Sequence, residues 1–97
     1  MNIGEYMSNV DLHTELINQL HELYKAKNAD YGNSVHDTYQ KYGLTAFLVR
    51  MDDKMNRLRS LTQNNKIAQI KDEKIEDTLM DLANYALLAI IELRNKE

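Results

Sequence analysis

Apolar positions recur at helical spacing in three stretches of this chain, and the last stretch is apolar on almost every side. From Ile75 to Leu93, one face carries Leu79, Leu82, Ala83, Ala86 and Leu93, a second carries Met80, Leu87 and Ile91, and Ala89 and Ile90 fill in between. A helix apolar nearly all round belongs at the centre of a bundle. Its one polar stripe is Asp77, Asp81 and Asn84, and the next position on that line is Leu88. A stripe that begins among acids and ends among apolar residues is expected to face protein or ligand rather than bulk water. Carboxylates there cost several kcal/mol unless a cation or a metal compensates them.

Two further helices are legible. The first is predicted from about Asp11, as N-cap, to about Asn28, with Leu12, Leu16, Leu20, Leu23 and Tyr24 on one face. The second is predicted from about Leu44 to Thr62, with Leu44, Leu48, Met51, Met55 and Leu58 inward. The third starts no earlier than Asp72, after a polar connection from Gln63 to Lys71 in which Ile67 and Ile70 form a helical turn. Between the first two lies Ala29–Gly43, where Asp30-Tyr31-Gly32-Asn33 is turn chemistry and a short helix over Val35–Lys41 ends at Gly43. The expected fold is an all-α bundle of three long helices and one short one. Residues 1–10 form an arm, and residues 11–97 a single domain. An apolar surplus in so short a chain predicts a homo-oligomer.

Composition narrows the function classes. The 97 residues include no proline and three glycines, which fits a helical protein, and no cysteine, so there is neither a disulfide framework nor a thiolate metal site. No basic, apolar leader is visible at Met1–Asp11, and Glu76, Asp77, Asp81 and Asn84 interrupt the last apolar stretch well short of the ~20 residues a membrane span needs. A cytoplasmic protein is expected. The net charge of −3 argues against an extended nucleic-acid partner, yet it leaves room for a local basic pocket holding one nucleotide.

An antiparallel hairpin of the second and third helices sets Arg57 near Asp77, Asp53 near Asp81, and Arg50 near Asn84. Asp53, Asp77 and Asp81 then form an oxygen-rich candidate site for Mg²⁺ or Mn²⁺. The alternative is a salt-bridge network in which the acids pair with Arg50, Lys54 and Arg57. In the loop, Lys27, Asn28, Asp30, Tyr31 and Ser34 fall where the first helix should end, a place where side chains converge on a ligand or simply form a connector. His13, His21 and His36 share no ligand spacing and read as boundary or surface residues.

Taken in order, Lys27-Asn28-Ala29-Asp30-Tyr31-Gly32 with Ser34, Tyr42-Gly43, Arg50, Asp53-Lys54, Arg57-Leu58, Asp77-Thr78-Leu79 and Asp81-Leu82-Ala83-Asn84-Tyr85 resemble the nucleotide modification associated domain 1 family. Its members are small proteins frequent in bacteriophages and prophages, which implies a host-cell cytoplasmic setting. That family is in turn similar to the all-α, MazG-like and dimeric dUTPase-like nucleoside triphosphate pyrophosphohydrolases. There, acids on neighbouring helices bind Mg²⁺, which activates water against the phosphate chain. Asp77 and Asp81 match the acidic motif on their last metal-binding helix. The Glu-Glu-x-x-Glu run of the preceding helix is replaced here by Asp52 and Asp53, among Arg50, Lys54 and Arg57.

Two functional readings follow from the resemblance, neither needing an organic cofactor. One is a Mg²⁺-dependent nucleotide pyrophosphohydrolase, with no catalytic residue assigned, acting in nucleotide metabolism or modification. The other is a non-catalytic binder that sequesters a nucleotide or a nucleotide-derived signal. In the second, Arg50, Lys54 and Arg57 hold phosphates, with Tyr31, Tyr39 or Tyr42 stacking on the base. Lys27, Asn28, Asp30, Tyr31, Ser34 and Asn84 complete the expected binding set.

Overall fold

The computed structural model describes residues 7–31, 33–63 and 68–95. Within them lie four helices in the order α1 (Asn9–Tyr31), α2 (Ser34–Tyr42), α3 (Thr45–Gln63) and α4 (Ala68–Arg94), and no strand. Two compact units divide the chain, Met1–Gly32 with α1 and Asn33–Glu97 with α2, α3 and α4. Most of the expected arm, Gly32 of the expected turn and Ile67 of the expected connection lie outside the described residues.

Among its described residues the first unit holds one helix, which starts earlier and ends later than its apolar pattern indicates. Ser8, not Asp11, caps it. The Ser8 Oγ accepts the Asp11 amide at 3.1 Å, and the Ser8 carbonyl accepts the Leu12 amide at 2.9 Å. A hydroxyl oxygen satisfies one of the first-turn amides that have no partner inside the helix, and Asp11, three residues in, adds negative charge at the positive end of the dipole. At the other end α1 runs through Tyr31, so Lys27, Asn28 and Asp30 belong to its last turns rather than to a loop. Of the expected face, Leu20 is buried, Leu16, Leu23 and Tyr24 are half-buried, and Leu12 is exposed.

In the second unit, α2 packs against α3, and α3 against α4. Gly43 makes the α2–α3 corner. It sits at φ 66°, ψ −154°, and its amide donates to the Tyr39 carbonyl at 2.6 Å, closing α2. That backbone region is open essentially to glycine alone. The corner delivers Phe47 to the middle of the unit, where it is 3% exposed and its ring lies 5.9 Å from that of Tyr39.

Phe47 also corrects the expected orientation of α3. Its inward line is Phe47, Met51, Lys54, Leu58 and Leu61, whereas Leu44, Leu48 and Met55 are exposed. Both lines have heptad spacing and share Met51 and Leu58; burying the larger ring decides between them. The butylene stem of Lys54 fills the position an apolar residue would otherwise take.

On α4 the face turned to its neighbours carries Thr78, Asp81, Tyr85, Ala89 and Glu92, all buried or half-buried. The Thr78 hydroxyl donates to the Lys74 carbonyl at 2.6 Å, so its burial leaves no polar atom unsatisfied. Near the C-terminal end the Glu92 Oε2 lies 2.7 Å from the Nδ1 of His36 on α2, at hydrogen-bond distance. That contact ties α2 to α4 across 56 residues of sequence.

The described helices are none of them long and apolar enough to cross a membrane. Three substitutions test this unit. Phe47→Ala is expected to cost about 3–5 kcal/mol in chemical denaturation, while Leu48→Ala, at a position 57% exposed, stays within about 0.5 kcal/mol. Gly43→Ala is expected to destabilise by about 1–3 kcal/mol even though nothing lies within 4 Å of an added Cβ, because the cost is in the backbone angle.

Candidate phosphate-binding groove

Two turns of α3 present Arg50, Asp53, Lys54 and Arg57 along one flank of its packing line, since spacings of three, four and seven return to the same side of a helix. Against α3 packs α4, with Lys54 of the one meeting Asp81 of the other. Tyr85 is thereby brought against that flank, and Arg50, Asp53, Lys54, Arg57 and Tyr85 line an open groove of about 300 Å³. From Arg50 to Arg57 the helix rises about 10.5 Å, so the two guanidiniums mark its length.

One of the three cations is already engaged. The Lys54 Nζ donates to the Asp81 Oδ2 at 3.1 Å, with both side chains a little over a quarter exposed. Water therefore screens the pair only in part, and it is worth more than a surface contact and less than a buried one. Arg50, Asp53 and Arg57 are exposed and Tyr85 is half-buried. The groove thus offers two exposed guanidiniums, one ammonium shared with an internal carboxylate, a further carboxylate and one aromatic face. This arrangement can grip an anion bidentately, hydrogen-bond a hydroxyl or amino group through Asp53, and lay a flat ring on Tyr85.

The expected site residues fall in several places. Arg50, Lys54, Arg57 and Asp53 come together in the groove. The register is within one residue of the expected one, because Lys54 rather than Asp53 faces Asp81. Asp77 is exposed, and Asn84, 4% exposed, is buried on α4. Lys27, Asn28, Asp30 and Tyr31 end α1 in the first unit, and Ser34 opens α2, its carbonyl accepting the Thr38 hydroxyl at 2.9 Å. Of the tyrosines expected to stack on a base, Tyr39 is occupied by Phe47 and Tyr42 is exposed at the end of α2.

Asp53, Asp77 and Asp81 are not gathered into one ligand set. Among the described residues no three His, Asp or Glu side chains are placed to hold a metal ion together. The groove itself is lined by cations, one carboxylate and one phenol ring.

Tyr85 and the His36–Glu92 pair are what sequence reasoning missed. Tyr85 lies four residues after Asp81, on the line that faces Lys54, and that spacing was the available signal. Glu92 gave none: a carboxylate near the end of an apolar helix becomes burial-compatible only when a partner from another helix reaches it.

No curated protein and no solved structure matches the chain. The profile of the nucleotide modification associated domain 1 family matches residues 27–93, which include all five groove residues and more than half of the sequence. The chain belongs to the nucleotide modification associated domain 1 family.

Proposed function

We propose that the protein binds a nucleotide or nucleotide-derived molecule in the α3–α4 groove, gripping its phosphates directly with Arg50, Lys54 and Arg57. The observation that carries this is the convergence of those three cations with the Tyr85 ring in one groove. The family's association with nucleotide modification supports the ligand class. Guanidinium forks match phosphate oxygens in pairs, and a lysine beside them adds a point charge. The base stacks on Tyr85, and Asp53 accepts from a sugar hydroxyl or a base amino group.

In this reading Asp81 is an internal stand-in for the ligand's anion: an arriving phosphate competes with it for Lys54. The protein acts as a homo-oligomer, since α4 carries more apolar surface than its neighbours cover. Hydrolysis of the bound phosphate chain is the second reading, and it is favoured only by the carboxylates in and beside the groove.

The deciding experiment is calorimetric titration with a panel of nucleoside mono-, di- and triphosphates, with and without Mg²⁺, followed by analysis of the ligand after denaturation. Intact ligand, bound without Mg²⁺, is the expected result; stoichiometric pyrophosphate release would replace binding by catalysis. Arg57→Ala and Arg50→Ala are each expected to weaken binding by about 1.5–3 kcal/mol, roughly ten- to a hundredfold, and Tyr85→Ala by about 1–3 kcal/mol.

Asp81→Asn separates direct grip from a metal-mediated one. With direct grip it releases Lys54 and tightens phosphate binding several-fold, while lowering stability by about 1–2 kcal/mol through loss of the Lys54 contact. Loss of binding by the folded variant, restored in no buffer lacking Mg²⁺, would refute direct grip.

A further inference from the structure

The side of α4 turned away from α3 carries a seam in its own heptad spacing: Glu76, Met80, Ala83, Leu87, Ile90 and Arg94, at intervals of four, three, four, three and four. With about 100° of turn per residue, these six fall in one narrow sector, roughly opposite the Thr78–Asp81–Tyr85–Glu92 face that packs inward. Leu79 and Ile91 flank it. Of its apolar members Leu87 and Ile90 are each 45% exposed and Ala83 is exposed, while Met80 is half-buried; the flanking Leu79 and Ile91 are 49% and 38% exposed. Glu76 and Arg94, which close the two ends, are also exposed. Along the axis the seam spans about 27 Å, long enough for a helix-pair interface.

The order of residue types selects the occupant. Reversed end to end, the seam matches itself: the midpoint is residue 85, Met80 exchanges with Ile90, Ala83 with Leu87, and the flanking Leu79 with Ile91. The apolar positions thus stay apolar, and the charged ends change to their complement, Glu76 exchanging with Arg94. A two-fold interface requires that residue i meet residue j and j meet i. An antiparallel copy of the same helix satisfies this along the whole seam, with Glu76 against Arg94 of the other copy at both ends. A parallel copy would set glutamate against glutamate and arginine against arginine.

We infer that a second copy of this chain docks on the outer face of α4, antiparallel about a two-fold axis near residue 85, with Ala83 against Leu87 at the centre and Glu76–Arg94 pairs at the rims. The inference rests on the homo-oligomeric reading above and does not depend on the nucleotide one, because the groove lies on the other side of α4.

The test is sedimentation equilibrium of the full chain over micromolar concentrations, without nucleotide, with circular dichroism as the check on folding. A dimer is expected for the parent protein. Leu87→Asp is expected to give a helical monomer. Glu76→Arg and Arg94→Glu each turn two attractive contacts into two repulsive ones, and each is expected to weaken the dimer by about tenfold at low salt. The double variant Glu76→Arg with Arg94→Glu restores complementarity and is expected to return the dissociation constant to within about twofold of the parent. High salt should shrink the single-variant effects. A parent protein that stays monomeric at the highest concentration would overturn both the docking and the homo-oligomeric reading. A dimer indifferent to all three charge variants, or lost in the double variant as in the singles, would overturn the antiparallel seam while leaving an oligomer in place.

Discussion

The antiparallel pairing of α3 with α4, marked by the Lys54–Asp81 contact at 3.1 Å, is the constraint on which the rest of the second unit depends. Apolar packing alone specifies such a hairpin poorly, since a slide of one turn exchanges one set of aliphatic contacts for another of similar worth. A half-buried ion pair does not tolerate the slide: moved by a turn, Asp81 would lose its cation and Lys54 its anion while both stayed partly desolvated. The contact therefore acts on register more than on total stability. Register decides the site, because only at this setting does Tyr85 lie beside Arg50, Asp53 and Arg57.

The same setting divides α4 by purpose. One side meets α3 and α2 through Thr78, Asp81, Tyr85, Ala89 and Glu92, a face with more polar atoms than a bundle interior usually holds. Each has a structural reason to be there: the Thr78 hydroxyl bonds its own helix, Asp81 meets Lys54, and Glu92 meets His36. Leu79, Leu87, Ile90 and Ile91 are exposed on the other side, and half-buried Leu82 and Leu88 border the inward face. Such a helix fits the homo-oligomer proposed above, in which aliphatic seams would meet across subunits while polar groups fix the fold of each one.

How much of this the sequence discloses depends on which forces are local. Gly43 was legible as the end of α2 because a helix that stops at glycine does so through that residue's own backbone freedom. Asp11 reads as the cap from sequence while Ser8 caps in the structure, because capping is decided by which oxygen reaches an amide and both residue types are good caps. The turn of α3 was half legible: Met51 and Leu58 belong inward on either line, but the choice between Phe47 and Leu48 rests on Tyr39 arriving from α2. Arg50, Lys54 and Arg57 were readable as one flank from spacing alone. Tyr85 was not, because a tyrosine in an apolar helix reads as core until the opposite wall is known. The expected metal triad assumed that acids at matching heights converge. In the structure a lysine stands where that convergence would begin.

The balance of charge inside the groove carries the last step. Three cations against Asp53 and Asp81 leave little net positive charge, so the groove is not an indiscriminate trap for polyanions, in keeping with a chain whose net charge is −3. Attraction on this scale, screened beyond about 8–10 Å in physiological salt, acts at contact rather than at range. Selectivity then comes from matching a ligand's shape to fixed groups: phosphate oxygens set at the guanidiniums, a donor at Asp53, a flat ring at Tyr85. A free inorganic anion satisfies only the first of these and must still displace Asp81 from Lys54. In the binding mode proposed above a nucleotide would satisfy all three, and the stacking and hydrogen-bond terms would offset the displacement. On that proposal the internal carboxylate raises the threshold for simple anions more than for nucleotides, and the groove would discriminate by demanding several modest contacts at once instead of a single strong one.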